Sequence, residues 1–97
     1  MNYELQFLPT ALKEWRKLGA TVQTQFKNKL SERLQHPHVQ ADRLSGIADH
    51  YKIKLRSSGY RLVYRIEDSS ITVTGVAVGT RERNTVAETA QNRSDPQ

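Results

Sequence analysis

The sequence predicts a small α+β domain: a twisted, mainly antiparallel sheet covered on one face by an N-terminal helical hairpin. Three observations predict it. Residues 51–78 read as three consecutive strands, in which apolar and polar side chains alternate and turn residues intervene. Residues 8–36 carry apolar side chains at helical spacing instead. One alternating stretch, 2–7, precedes them. The expected order is β-α-α-β-β-β plus a short C-terminal helix, with helices on one face and a largely exposed opposite face. A single domain is expected over 1–91, with a polar, disordered tail over 92–97.

Each element has its own signal. At 2–7, Tyr3, Leu5 and Phe7 alternate with Glu4 and Gln6, as in a half-buried strand. Pro9 stands in the first turn of a helix, where its missing N–H costs nothing. Leu8, Leu12, Trp15 and Leu18 form that helix's apolar stripe, and Lys13, Glu14, Arg16 and Lys17 its other face. Gly19 is expected to stop it. Thr21 is placed to cap a second helix. Val22, Phe26, Leu30 and Leu34 form the second stripe, Lys29 and Arg33 run along its edge, and the helix should end before Pro37. From 36 to 50 no period holds, so this is a connection that Leu44 and Ile47 tack to the core.

The meander follows. Tyr51, Ile53 and Leu55 alternate with Lys52, Lys54 and Arg56, and Ser57-Ser58-Gly59 makes the turn. Tyr60, Leu62, Tyr64 and Ile66 alternate with Arg61, Val63 and Arg65. After Asp68-Ser69-Ser70, residues 71–78 are apolar and β-branched, the composition of a central strand, and Gly79 should end it. A short helix is expected within 81–91, with Asn84 as its cap.

A chain of 97 residues is one domain's worth of core. It has no cysteine, which excludes a disulfide, a thiolate nucleophile and a cysteine-based metal site. The N-terminus lacks the basic-then-apolar pattern of a secretory signal, and no apolar run approaches the ~20 residues of a membrane span. A soluble cytoplasmic protein without membrane contact is expected.

Charge placement is more informative. The formal net charge is +5, from 15 Lys and Arg against 10 Asp and Glu. Between Asp49 and Glu67 there is no carboxylate, yet Lys52, Lys54, Arg56, Arg61 and Arg65 all fall there. Like charges packed this closely repel, and a phosphate-bearing partner relieves that repulsion. Strand geometry puts Lys52, Lys54 and Arg56 on one face, and Arg61, Val63 and Arg65 on the same face of the paired strand. Cross-strand neighbours are ~5 Å apart, so two lysines and an arginine should converge within the width of a phosphate. Arg81 and Arg83 follow the third strand, near the rim. A solvated face would mix both signs of charge. Composition does not separate passive nucleic-acid binding from catalysis.

The usual nuclease equipment is missing. His36, His38 and His50 do not form a pair, and Asp49, Glu67, Asp68 and Glu82 are scattered over turns rather than clustered for a metal. No metal and no cofactor is expected. RNA nevertheless carries its own nucleophile, the 2′-OH. A lysine among other cations has its charged form disfavoured, so its pKa falls toward the range of a general base. Lys54, central in the cluster, is the expected site of that depression. Arginines offer fixed donor forks to the equatorial phosphate oxygens.

These residues carry a resemblance. Residues 11–19 (ALKEWRKLG), 51–64 (YKIKLRSSGYRLVY), 76–79 (VAVG) and 81–83 (RER) resemble the RelE family of bacterial toxins, and weaker similarity extends from Met1 to about Glu88. The family consists of mRNA interferases that cut mRNA in the ribosomal A site, leaving a 2′,3′-cyclic phosphate and a 5′-OH. The resemblance implies Lys54 as general base, Arg81 as general acid, and Lys52 and Arg61 as stabilisers of the transition-state phosphate. Arg56, Arg65, Arg83, Lys13 and Lys17 are the further RNA contacts. The implied partners are a RelB-like antitoxin, the 70S ribosome with its 16S ribosomal RNA, and promoter DNA through the toxin–antitoxin complex. An acidic antitoxin helix is expected to dock on the basic face and a weakly anchored C-terminal segment.

The chain departs from the family at Ala87, where a tyrosine is thought to stack on a substrate base. Stacking contributes about 1–3 kcal/mol, so its loss should slow cleavage. Tyr60 is a conceivable substitute. Thr80 replaces a basic residue of close relatives. Two other readings stand beside the ribonuclease: a non-enzymatic gyrase inhibitor of the related ParE-like class, and a binding-only protein that has lost turnover through Ala87.

Overall fold

The structure, a computed structural model, describes residues 2–80 and 85–94. Its elements are β1 (Glu4–Phe7), α1 (Pro9–Arg16), α2 (Ala20–Gln35), β2 (His50–Lys54), β3 (Tyr60–Glu67), β4 (Thr72–Thr80) and α3 (Thr85–Ser94). The sheet order is β1-β4-β3-β2. β1 runs parallel to β4, and the other two pairs are antiparallel. The expected α+β architecture is present, and β4 lies between β1 and β3, where its β-branched composition placed it.

The helical hairpin covers one face. Phe26 and Leu30 of α2 are buried against Ile53, Leu62, Tyr64 and Val73. The rings of Phe7, Trp15 and Phe26 form a tilted run, with centroids 5.4 and 6.1 Å apart, that ties both helices to the sheet. Gly75 makes this possible, since a Cβ there would lie 2.5 Å from the Phe7 ring.

The opposite face is not largely exposed, contrary to expectation. Val63, Val76 and Ala77 are buried under Val86 and Ala90 of α3. Nor is the C-terminal segment weakly anchored. Arg93 donates to both Glu14 carboxylate oxygens, at 2.9 and 3.1 Å, and to the Val76 carbonyl at 2.7 Å. Glu14 Oε1 also accepts the Val78 N–H at 3.1 Å. The register of β1 ends at Gly75, so these bonds satisfy β4 where its neighbour stops. Helix α3 therefore runs to Ser94 and takes in residues 92–94, the first three of the expected tail. A tie spanning 79 residues holds it there, which local polarity does not reveal.

Smaller boundaries shift for local reasons. Gly19 is the N-cap of α2 and no side chain caps that helix, so Thr21 does not serve. Ile71 takes a left-handed conformation (φ 51°), and β4 starts after it. β4 then continues through Gly79 to Thr80 instead of stopping. β2 ends at Lys54, which leaves Arg56 in the turn. Asn84, the expected helix cap, lies outside the described residues. Among the described residues no helix is long and apolar enough to cross a membrane.

Candidate active site

The β2–β3 register decides which basic residues meet. Lys54 stands opposite Arg61, and Lys52 opposite Val63. The same rows continue on β4 as Gly79 and Ala77. Lys52, Lys54 and Arg61 therefore share the face turned away from α2, with directly opposed Cβ atoms ~5 Å apart. Lys54 is exposed, while Lys52 and Arg61 are half-buried. Gly79 lets α3 come close beside Arg61, because a Cβ there would lie 3.0 Å from Val86 Cγ2. The glycine expected to end the strand instead admits a helix.

The cluster perturbs Lys52. Its ammonium pKa is lowered from the ordinary 10.5, first by burial, then by the positive charges of Lys54 and Arg61 and by the adjacent Lys54 amine, with Asp42 opposing. The sequence placed such a depression on Lys54, the geometric centre. At Lys52 burial adds to like charge: its cross-strand neighbour Val63 is 1% exposed.

The remaining basic residues are dispersed. Arg56 is exposed in the hairpin turn, where Lys54, Arg56, Gly59, Tyr60 and Arg61 line a concavity. Arg65 lies at the other end of β3, opposite His50 and paired with Glu67 at 3.2 Å. Lys13 and Lys17 are exposed on and just after α1 and not on the strands. Arg81 and Arg83 lie outside the described residues. Tyr60 is half-buried and packs against the core beneath the helical hairpin, while also lining the concavity with Arg61. Thr80, opposite Tyr60, is exposed at the end of β4.

The histidines do not join the cluster. His38 Nε2 is 3.1 Å from Asp68 Oδ1 in the connection. His50 is buried, its Nδ1 2.7 Å from the Ala48 carbonyl oxygen, and burial lowers its pKa. Among the described residues no group of three or more His, Cys, Asp or Glu is placed to hold a metal ion.

Sequence reasoning missed the support beneath Lys52. Arg33 of α2 reaches the outer edge of β2, donating to the Lys52 carbonyl at 3.2 Å and to the Tyr64 hydroxyl at 2.9 Å. It also pairs with Asp42. The Tyr64 hydroxyl in turn donates to the Pro37 carbonyl at 2.7 Å. Burial works against the Arg33 charge, but Tyr64 and Asp42 outweigh it and its pKa is raised. Asp42 is the carboxylate that opposes the Lys52 depression, so the Arg33–Asp42 pair bears on the site's charge. The position of Arg33 at the edge of the α2 stripe was visible, but its partners came from the connection, which has no periodic signal.

Comparison with known proteins decides the family. The chain is 54% identical over 93 residues to the mRNA interferase toxin RelE of Escherichia coli strain K12, covering 96% of this chain and 98% of that one. The chain belongs to the RelE toxin family. A family model described as the ParE toxin of the type II toxin–antitoxin system parDE also matches residues 5–85. A RelE-like toxin protein of E. coli, named as putative, is 47% identical over the same share of this chain. Among solved structures, an arginine double mutant of E. coli toxin RelE in the free state superposes with a TM-score of 0.91 at 50% identity, covering 98% of this chain and all of that one. The RelE chain of the intact E. coli RelBE toxin–antitoxin complex superposes at 0.81 with 56% identity, covering 84% of this chain and 99% of that one. In this RelE-family chain Ala87 falls within α3, with its side chain outside the described residues.

Proposed function

We propose that this RelE-family toxin is a ribosome-dependent endoribonuclease that cuts mRNA in the A site without a metal. The observation that carries the reading is Lys54 directly opposite Arg61 with Lys52 beside them, three cations on one sheet face. Membership of the family and 54% identity to a protein named as an mRNA interferase support it.

The chemistry follows from the positions. A neutral lysine of the Lys52–Lys54 pair takes the proton of the RNA 2′-OH. The 2′ oxygen forms a bond to the adjacent phosphorus and the bond to the 5′ oxygen breaks. That oxygen takes up a proton, assigned to Arg81 by family resemblance. The products are a 2′,3′-cyclic phosphate and a 5′-OH. Arg61 and the lysine that stays charged hold the equatorial oxygens as charge builds on them. The family base corresponds to Lys54, and the lowered pKa of Lys52 makes the neutral form easier to reach at Lys52. A shallow face gives little substrate positioning, so the ribosome supplies the alignment. Arg56, Arg65, Arg83, Lys13 and Lys17 serve as RNA contacts, to mRNA or 16S ribosomal RNA. A RelB-like antitoxin is the cognate partner, consistent with the RelBE complexes formed by its relatives, and DNA is met through that complex in the cytoplasm.

The test is primer extension on mRNA in stalled ribosomes, with the purified chain and with Ala87→Tyr. Cuts within the A-site codon, more abundant for Ala87→Tyr, are expected. Ribosome binding without cuts from either protein favours the binding-only reading. The match to the ParE toxin model supports a second reading, a toxin of the ParE-like class, whose expected action is inhibition of DNA gyrase. Loss of gyrase supercoiling without translational arrest would establish that one instead.

A further inference from the structure

The cationic surface does not stop at the sheet face. Lys54 and Arg56 line the concavity with Arg61 on one side of the β2–β3 hairpin, and they also line a second groove on its other side. There the wall is α2, contributing Gln25, Asn28 and Lys29, and the floor includes Leu55 and Ser57. Leu55 is the one apolar residue of the lining and is 7% exposed. Its lining holds three cations, two carboxamides and one hydroxyl, with no carboxylate.

We infer that this α2 groove, centred on Lys29, binds an RNA backbone, so that the strand entering the active face bends over the hairpin and lays a flanking phosphate between Lys29 and Arg56. The inference rests on the ribonuclease reading for the strand that passes the active face. The chemistry of the groove selects the ligand class. Phosphodiesters need cations and small hydrogen-bonding groups, all of which are present. An acidic protein helix would need apolar side chains to seat against as well, and the lining's one apolar residue, Leu55, is buried. Continuity supplies the second argument, since Lys54 and Arg56 belong to both concavities and one polyanion can engage both.

Lys29 is exposed on α2, so changing it does not threaten the core. Lys27 is also exposed on α2 but is absent from the groove, which makes it the matched control. The full chain is titrated with a labelled single-stranded RNA over a range of salt. Lys29→Gln is expected to reduce the slope of log affinity against log salt by about 0.7, the value for one phosphate contact on a single strand. Relative to a 1 M reference, that is about a fivefold loss at 0.1 M salt. Lys27→Gln should keep the parental slope. Equal slopes for the two variants overturn the groove, as does a Lys29→Gln defect confined to antitoxin binding. A photoreactive side chain at position 28, added to programmed ribosomes, separates the RNA sources. A crosslink to mRNA assigns the groove to the substrate strand, a crosslink to ribosomal RNA assigns it to docking, and crosslinks to ribosomal protein alone overturn it. Cleavage is read separately, by the primer extension on stalled ribosomes. A chain that binds through Lys29 and never cuts refutes the ribonuclease reading alone, and one that cuts while Lys29→Gln keeps the parental slope refutes the groove alone.

Discussion

Replacing Arg33 by Ala should weaken both the fold and the chemistry, through separable effects. The Arg33 side chain is 13% exposed and donates to Tyr64, to the Lys52 carbonyl and to Asp42. Hydrogen bonds to a charged group contribute about 1.5–3 kcal/mol each. Water recovers part of this, because Asp42 is 27% exposed and the Lys52 carbonyl faces the free edge of β2. The net cost is about 3 kcal/mol, at the low end for breaking a buried pair. At about 2.1 cal/mol/K per residue, 97 residues give an unfolding entropy near 0.2 kcal/mol/K, so the Tm should fall by about 15 °C. The second effect is electrostatic. Without Arg33 the Asp42 carboxylate loses its counter-ion, and its field raises the pKa of Lys52 toward the ordinary 10.5. A base that must be neutral is then neutral less often, so the alkaline-rising limb of the cleavage profile moves to higher pH. Thermal unfolding by circular dichroism reads the first effect, and single-turnover cleavage against pH reads the second. Arg33→Lys, which keeps the charge but not the fork, should restore the profile more than the Tm. A Tm within a few degrees of the parent, together with an unmoved profile, would refute the assignment of Arg33 as the support of Lys52.

Three other outcomes are expected. Lys54→Ala should lower ribosomal cleavage by about 10²–10⁴, the usual range for a general acid or base, whereas Lys17→Ala, exposed beyond the end of α1, should leave it near the parental rate; equal losses would remove Lys54 from the mechanism. Lys52→Met should stabilise the fold at neutral pH in urea titrations: the folded-state pKa lies below the unfolded 10.5, so the folded chain binds fewer protons between the two values and the penalty at neutral pH fades as pH rises through that window. A destabilised variant, or an advantage that grows with pH, reverses that account. Arg93→Ala should cost about 2 kcal/mol, because three charge-assisted bonds are lost from a pair whose side chains are 22% and 33% exposed, and amide exchange should accelerate in α3 before it does in β3.

Much of the fold was legible because its strands and helices each keep one period. Tyr51, Ile53 and Leu55 alternate cleanly with Lys52 and Lys54, and this alone put the two lysines on one face. The turn Ser57-Ser58-Gly59 set the hairpin length, and with it the pairing of Lys54 with Arg61. What was not legible depended on partners distant in sequence. Among the described residues the buried face of α3 is two small side chains, Val86 and Ala90, in a mostly polar segment, and Glu14 and Arg93 tie the helix to β4. The Arg33–Asp42–Tyr64 network joins a helix, an aperiodic connection and a strand. The register shift at Val63 and Tyr64 leaves Val76 without an opposite residue on β3, and nothing in the local sequence announces it.

Val63 explains why this basic face is more than a solvated surface. It occupies the same row as Lys52 and the same side as Arg61, yet it is 1% exposed because α3 lies over it. One sheet face is thus split into an apolar half under a helix and a cationic half beside it. The boundary between the halves passes next to Lys52, and water is excluded on one side of that ammonium while two positive charges stand on the other. Both conditions lower the pKa, and neither is created by the lysines alone. A lysine in the middle of a fully exposed basic strand would keep the charges but gain water; a lysine wholly under α3 would lose access to RNA. The close approach that Gly79 permits sets how near the helix comes to Arg61. The edge of α3 thus bears on the burial and not on the like charges, and substitutions that lift this helix should relieve the burial part of the Lys52 depression while leaving the part due to Lys54 and Arg61.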